Sequence, residues 1–290
     1  MAVADTLAPP RGVGSAAAAR VGAALVGGFA LIAIAAPVLA PYRTAELSGD
    51  PLEAPSAAHL LGTNSVGQDL ASQLLSGARA SLLVAAVAGV GTLLLGALVG
   101  VLAGWLGGIV DAVLMRVVDI LLVVPRLPLL IVAGAYVGQG LVPVATIIAL
   151  TFWPPTAKVV RSQVLSIRRR AHLMAARGFG AGTVRILRHH VLPAVGLLAA
   201  AELVAAAGRA VVLEAGLAFL GLGDPSTPSW GSIMRDALGF SGLFYTQAWA
   251  WWLFPPVVAV TLLLVGITLL GVGVEQRIDP RLARHPGRPA

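Results

Sequence analysis

Three stretches of this chain, residues 21–40, 81–105 and 249–272, run for twenty or more residues without one charged side chain. A helix rises about 1.5 Å per residue, so about 20 apolar residues match the ~30 Å hydrocarbon core of a bilayer. Three further runs, 117–137, 141–157 and 194–217, are apolar but carry prolines or isolated charges. Composition agrees: 58% of the 290 residues are hydrophobic and 11% are charged, against roughly 25% charged in a soluble domain. The expected fold is an all-α membrane protein with six transmembrane helices, and the loops between them are too short for a separate soluble domain.

On this reading the chain divides into a cytoplasmic tail (1–20), a first transmembrane helix (21–40), an external segment (41–80), a five-helix core (81–275) containing a basic loop (158–193), and a second cytoplasmic tail (276–290). Arg11 and Arg20 ahead of the first apolar run give it the look of a secretory signal. Twenty apolar residues exceed the 7–15 of such a signal's apolar region, however, and the run is read as a retained helix.

Basic residues collect on the cytoplasmic side, near helix ends. With the amino terminus inside, the cytoplasmic segments hold fifteen of the twenty: Arg11, Arg20, Arg116, Lys158, seven arginines from Arg161 to Arg188, and Arg277, Arg281, Arg284 and Arg288. The external segments hold three, Arg43, Arg79 and Arg235; Arg126 and Arg209 fall inside spans. The net charge of +7 therefore reflects membrane topology, and no aromatic-studded basic surface points to nucleic acid.

Several chemistries are excluded. The chain has no cysteine, which removes disulfides, thiolate metal sites and cysteine catalysis. A P-loop needs a lysine after a Gly-rich turn, and the single lysine, Lys158, lies between Ala157 and Val159. If ATP drives this protein, another chain binds it. His59, His172, His189, His190 and His285 all fall in expected loops, so hydrolysis within the membrane lacks its histidine, and no metal-ligand spacing is present.

Within the core, Gly96, Gly100, Gly104 and Gly108 recur every fourth residue, stripping one helix face for close backbone approach. Pro125, Pro128, Pro154 and Pro155 disturb the third and fourth spans, which is tolerated where protein or water satisfies the freed carbonyls. Arg126, Glu202 and Arg209 are singled out as ionisable residues inside spans; such charges face a passage or pair with a neighbouring subunit. Glu202 and Arg209, seven residues apart, stand about 10 Å apart along a helix axis, which is long for a direct ion pair.

The segment from Lys158 to Pro193 carries eight basic residues and no acidic one. Val164, Ile167, Ala171 and Met174 follow helical spacing beside Arg161, Arg168 and His172. Such an amphipathic helix either lies on the anionic leaflet or docks into a groove on a cytoplasmic partner. Further on, the run from Gly221 to Gly231 is dense in Gly and Pro and reads as irregular backbone, lying outside or re-entering against other helices. In the external segment, Asn64 or Ser65 is the expected cap of a short helix with Asp69 in its first turns.

Specific residues now enter. Met174-Ala175-Ala176-Arg177-Gly178-Phe179-Gly180, nine residues, then His190-Val191-Leu192-Pro193 resembles the cytoplasmic loop of ABC importer permeases, whose pattern is Glu-Ala-Ala, three residues, Gly, nine residues and an Ile-x-Leu-Pro ending. The stretches His59 to Asp69, Asp111 to Asp119, Glu214 to Gly223 and Pro228 to Gly231, with the ending Asp279-Pro280-Arg281-Leu282, extend the resemblance from about residue 59 to 282. It points to the C-type subunit of the dipeptide, oligopeptide and nickel branch.

The resemblance implies a type I importer permease fold in which this loop docks on an ATPase subunit. Ala175 and Ala176 then allow close approach, Gly180 ends the coupling helix, and Pro193 leads into the fifth span, with Met174, Arg177, His190 and Leu192 completing the coupling set. Met174 stands where the family usually has Glu; Asn64 and Gln68 stand where Asp and Arg are commoner. It further implies a second permease subunit, two ATPase subunits binding ATP and Mg, an external substrate-binding protein, surrounding membrane lipid, and no cofactor or catalytic residue in this chain. The alternatives are the same machine carrying nickel, haem, glutathione or another small solute, and, in a different class, a gradient-driven secondary transporter, for which no internal inverted repeat is found.

Because the chain lacks cysteine, topology can be mapped on its natural background. A membrane-impermeant thiol reagent is expected to label Glu46→Cys on intact cells, and Arg188→Cys only after the membrane is opened; external labelling of Arg188→Cys would invert the assignment.

Overall fold

The structure is a computed structural model that describes residues 15–138, 140–171, 173, 178 and 182–278. Its helices are α1 (Ser15–Leu39), α2 (Leu70–Leu106), α3 (Gly108–Val123), α4 (Arg126–Val137), α5 (Leu141–Arg168), α6 (Thr183–Ile186), α7 (Leu192–Phe219), α8 (Trp230–Gly239), α9 (Ala248–Trp252) and α10 (Phe254–Ile278). A π-helical turn, Leu187–Val191, joins α6 to α7. Among the described residues four helices are long and apolar enough to cross a membrane singly; counting the α3–α4 pair, bent by 90°, and the pair from Thr183 to Phe219, bent by 44°, as one span each, the number is up to six. The chain is a multi-pass, all-α membrane protein.

The glycine stripe organises the bundle. An added Cβ would lie 2.7 Å from Thr156 at Gly96, 2.6 Å from the Ala157 carbonyl oxygen at Gly100, and 2.9 Å from Val164 at Gly104. Residue numbers rise together along both helices, so α2 and α5 run parallel, and theirs is the most extensive helix contact in the molecule. Gly108 lies outside this face. With φ of +56°, next to Gly107 at +69°, it forms the α2–α3 turn, a left-handed conformation that glycine adopts without Cβ strain.

Glycine serves the other seams as well. Two turns before Gly96 along α2, Gly89 faces Ala207 of α7, while Gly22 of α1 faces Leu270 and Gly266 of α10. The latter pair is antiparallel and meets again at Ala19 and Gly273, so the start of α1 and the end of α10 lie at one end of the bundle, here the terminal end.

Prolines act by position. Val124, which precedes Pro125, is held extended at φ −67° and ψ 128°, as the proline ring requires, and the 90° bend follows. Pro128 is the third residue of α4, where a missing amide is harmless. Pro154 and Pro155, expected to disturb the fourth span, instead sit inside an uninterrupted α5. A proline inside a helix costs about 3 kcal/mol, and here the helix is held along its length against α2.

Two expected boundaries shift. The helix after the external segment is capped by neither Asn64 nor Ser65. Asp69 is its N-cap, accepting from the Ser72 amide at 2.7 Å, and the helix continues through residue 80 into the second span. Likewise, residues 158–168, expected to begin the basic loop, are the last three turns of α5.

The segment 40–69 is held by polar side chains. Asn64 Oδ1 accepts from the amides of Val66 and Gln68 at 3.0 and 2.9 Å, and Asn64 Nδ2 donates to Gln68 Oε1 at 2.8 Å. The two departures from the family pattern are thus each other's partners, an amide pair where the family usually has Asp and Arg. His59 is buried, with Nδ1 3.0 Å from Asp69 Oδ1, so it ties this segment to the cap of α2. The Gly-rich segment ends in α8, which packs against α7, α10 and α2. Trp230 fills the space over Gly77 and donates its indole N–H to the Leu74 carbonyl at 3.0 Å.

In the same segment, burial raises the Asp224 carboxyl, but hydrogen bonds from the Ser226 hydroxyl and amide and from the Leu141 and Thr227 amides outweigh this and hold it below the ordinary 3.8.

Gly100→Val, which drives a branched side chain into α5 backbone, is expected to destabilise the bundle by about 1–3 kcal/mol, read as a lower midpoint of thermal unfolding in detergent. Gly196→Ala, with open space at its Cβ position, is the neutral control, and equal behaviour of the two would refute the seam. Because the Asp224 carboxyl is depressed on folding, its stabilisation is complete above pH 3.8 and lost as pH falls through the lowered value. Hydrogen-exchange protection factors across 220–229, with the intrinsic pH dependence of amide exchange divided out, should therefore stay constant from neutral pH to about 4 and fall only below it.

Candidate functional site

The three charges singled out inside spans meet two residues one turn apart on α5, Phe152 and Thr156, and each other. Arg126 is the first residue of α4, immediately after the Pro125 bend, and its guanidinium lies 4.7 Å from the centroid of Phe152 on α5, a cation–π contact. One turn along α5, Thr156 donates to Glu202 Oε2 of α7 at 2.9 Å. The same carboxylate oxygen is 4.0 Å from Arg209 Nη2. The length of the arginine side chain closes the axial gap that the seven-residue spacing leaves, to the outer limit of an ion pair and no further. Arg209 Nη2 is buried and has no hydrogen-bond partner among the described residues. Arg126 also lies near enough to repel Arg209, so the cluster holds two cations and one carboxylate.

This cluster borders an open groove of about 620 Å³ between α5, α7 and α10. Phe152, Gly208, Arg209 and Val212 form one wall, and Leu264 and Thr268 of α10 the other. The lining is apolar apart from Arg209 and Thr268. Such a surface lets polar groups slide past and offers one concentrated positive charge. The sequence reading missed Phe152 and Thr156, which join the three charges; a threonine within an apolar span was the available signal. It also missed Glu214, a carboxylate inside the predicted fifth span. Glu214 is buried and accepts from Ser81 Oγ at 2.9 Å, locking α7 to α2 away from the groove.

At the terminal end, the basic residues divide. Arg161 makes a bidentate pair with Asp111, at 2.5 and 2.6 Å. Lys158 pairs with Asp119 at 2.7 Å, and Arg168 donates to the Gly104 carbonyl at 2.7 Å while lying over Trp105. These contacts clamp α3 and α2 to α5. Val164 and Ile167 of the expected amphipathic stripe are buried, in a cluster with Ile186, Val191 and Val195 and against Val101 and Trp105. That part of the stripe meets neither leaflet nor partner, because the chain itself covers it. Ala171, next on the stripe, is exposed.

Of the coupling set, Met174, Ala175, Ala176, Arg177 and Gly180 lie outside the described residues. His190 sits in the π turn rather than in a loop, Leu192 opens α7 and is exposed, and Pro193 follows it. Proline at 193 has no amide to offer the His189 carbonyl four residues back. The ladder widens just before it, with the Leu192 amide reaching the Leu187 carbonyl, and such single-turn widening is typical of π-bulges. Val184, Arg185 and Arg188 are exposed along this short rod.

Comparison with known proteins assigns the arrangement. Residues 96–284 match the family described as binding-protein-dependent transport system inner membrane component. The chain is 34% identical over 266 residues, 91% of its length and 86% of the relative's, to the dipeptide transport system permease protein DppC of Alkalihalophilus pseudofirmus. It is 35% identical to a putative peptide permease protein of Brucella suis, over 84% of this chain and 81% of that one, and 32% identical to DppC of Bacillus subtilis, over 88% and 79%. With the family model covering more than half of the chain and these relatives matched over most of their length, the chain belongs to the binding-protein-dependent inner membrane components, the permeases of ABC importers.

Proposed function

We propose that this permease imports peptides, as half of a passage completed by a second permease subunit and driven by two separate ATPase subunits that bind ATP and Mg. The observation that carries the reading is the groove: it runs between three helices of this chain and is open rather than enclosed, so a second subunit is needed to close a passage over it. The printed names of the relatives, dipeptide and peptide permeases, supply the substrate class. Of the three candidate pathway charges, Arg209 lines the groove while Arg126 and Glu202 stand beside it on Phe152 and Thr156, and an external binding protein delivers the peptide. The terminal end faces the cytoplasm, as the distribution of basic residues supports.

Coupling runs through α7. Its first residue, Leu192, follows the π turn that joins it to the segment carrying the ATPase-docking motif, and Arg209 lies seventeen residues further along, about 26 Å. A push on Ala175 and Ala176 reaches the groove through α7, across its 44° bend between Gly196 and Leu198. The clamps join α5, which carries Phe152 on the same wall, to α3 and α2.

The test uses the whole complex reconstituted with its binding protein. Gly180→Ile is expected to leave membrane insertion and assembly intact while abolishing substrate-stimulated ATP hydrolysis. Arg209→Gln is expected to lower peptide uptake severalfold with stimulated hydrolysis preserved. Normal stimulation in the first variant overturns the coupling assignment, and unchanged uptake in the second removes Arg209 from the passage.

A further inference from the structure

Away from the groove, at the end of the bundle opposite the termini, α1 and α2 diverge and leave two contiguous cavities. One, of about 530 Å³, is an apolar slot whose walls include Ala33 and Ile34 of α1 and Leu83 and Ala86 of α2. The other, of about 400 Å³, is polar and is lined by Tyr42, Arg43, Glu46, Ser76 and Arg79 among others. Pro37 and Arg79 belong to both, so the slot opens directly into the polar chamber. Arg79 is exposed on α2, and neither it nor Arg43 has an ion pair among the described residues.

We propose that this site holds one anionic glycerophospholipid, its phosphate on Arg79 and Arg43 and one acyl chain in the slot below. Shape and charge argue together. A free phosphate has no use for an apolar slot continuous with its pocket, and an apolar helix has none for two unpaired arginines. Arginine is the side chain suited to phosphate recognition through its planar fork, with the Ser76 hydroxyl as a further donor. Two arginines and Glu46 leave one positive charge, matching the single negative charge of a phosphodiester with a neutral headgroup. Depth fits as well. Tyr42 marks the level where tyrosines gather at membrane–water interfaces, and Ala86 lies seven residues below Arg79, about 10 Å along α2, within the acyl region.

A lone arginine at a helix end merely snorkels toward whatever headgroups are near. The distinguishing property of a built site is selection. The intact importer complex, placed in nanodiscs of equal phosphatidylglycerol and phosphatidylethanolamine and then released for native mass spectrometry, is expected to retain one phosphatidylglycerol per copy of this chain. Arg79→Gln should reduce that occupancy about tenfold, equivalent to 1.4 kcal/mol. Ala86→Phe, which fills the slot from an exposed position and leaves both arginines in place, should reduce it equally. Retained lipid that mirrors the bulk mixture, or undiminished occupancy in either variant, overturns the proposal. So does a photoreactive side chain at position 86 that crosslinks in native membranes to the second permease instead of lipid.

Discussion

The backbone contact between α2 and α5 governs the arrangement of everything else. Inside a bilayer the surrounding lipid is as apolar as the side chains, so helices gain little from hydrophobic exclusion and associate through close packing and hydrogen bonds. Gly96, Gly100 and Gly104 bring α2 into contact with the backbone and β-carbons of α5. That approach aims Phe152 and Thr156 past α2 toward α4 and α7, where Arg126 and Glu202 meet them. A side chain on the glycine face would push α5 outward and separate the threonine from the carboxylate. The position of the polar cluster is therefore set by what three residues of a different helix lack.

Around this seam the molecule divides into stiff and interruptible parts. Arg161 with Asp111 and Arg168 with the Gly104 carbonyl join α2, α3 and α5 at the terminal end, and Asp69, His59 and Ser72 join the segment 40–69 to α2 at the other. The regular hydrogen-bond ladder breaks at Pro125, between α3 and α4, and widens before Pro193, at the foot of α7. The groove lies between a clamped helix, α5, and a rod, α7, whose base is the widened turn. Glu214 anchors the far end of α7 to Ser81, so the part of the helix beyond its 44° bend at 196–198, which carries Glu202 and Arg209, is held against α2.

Much of this was legible before any coordinates, for reasons visible in particular residues. Period-four glycines in an apolar run have few purposes other than helix contact, and the contact is there for three of the four. Proline after Val124 restricts that valine wherever it occurs, and the chain bends at that point. Harder to read were features that depend on competition between signals. Asp69 and Asn64 are both good caps; Asn64 is taken up by the amides of Val66 and Gln68, and only their placement leaves the helix start to Asp69. Residues 158–168 looked like a loop because of their charges, yet each of Lys158, Arg161 and Arg168 finds a neutralising or accepting partner on α2 or α3.

The sequence by itself determined that this chain lives in a membrane, which helix face is bare and where the backbone must turn, because these follow from local chemistry: apolar length, missing side chains and missing amides. Only the tertiary structure decided which charges meet. Whether Arg209 reaches Glu202, whether Val164 faces a partner or its own chain, and whether Arg79 stands beside an apolar slot depend on distances between helices far apart in sequence, and a one-dimensional pattern carries no information about a gap until the packing that sets it is known.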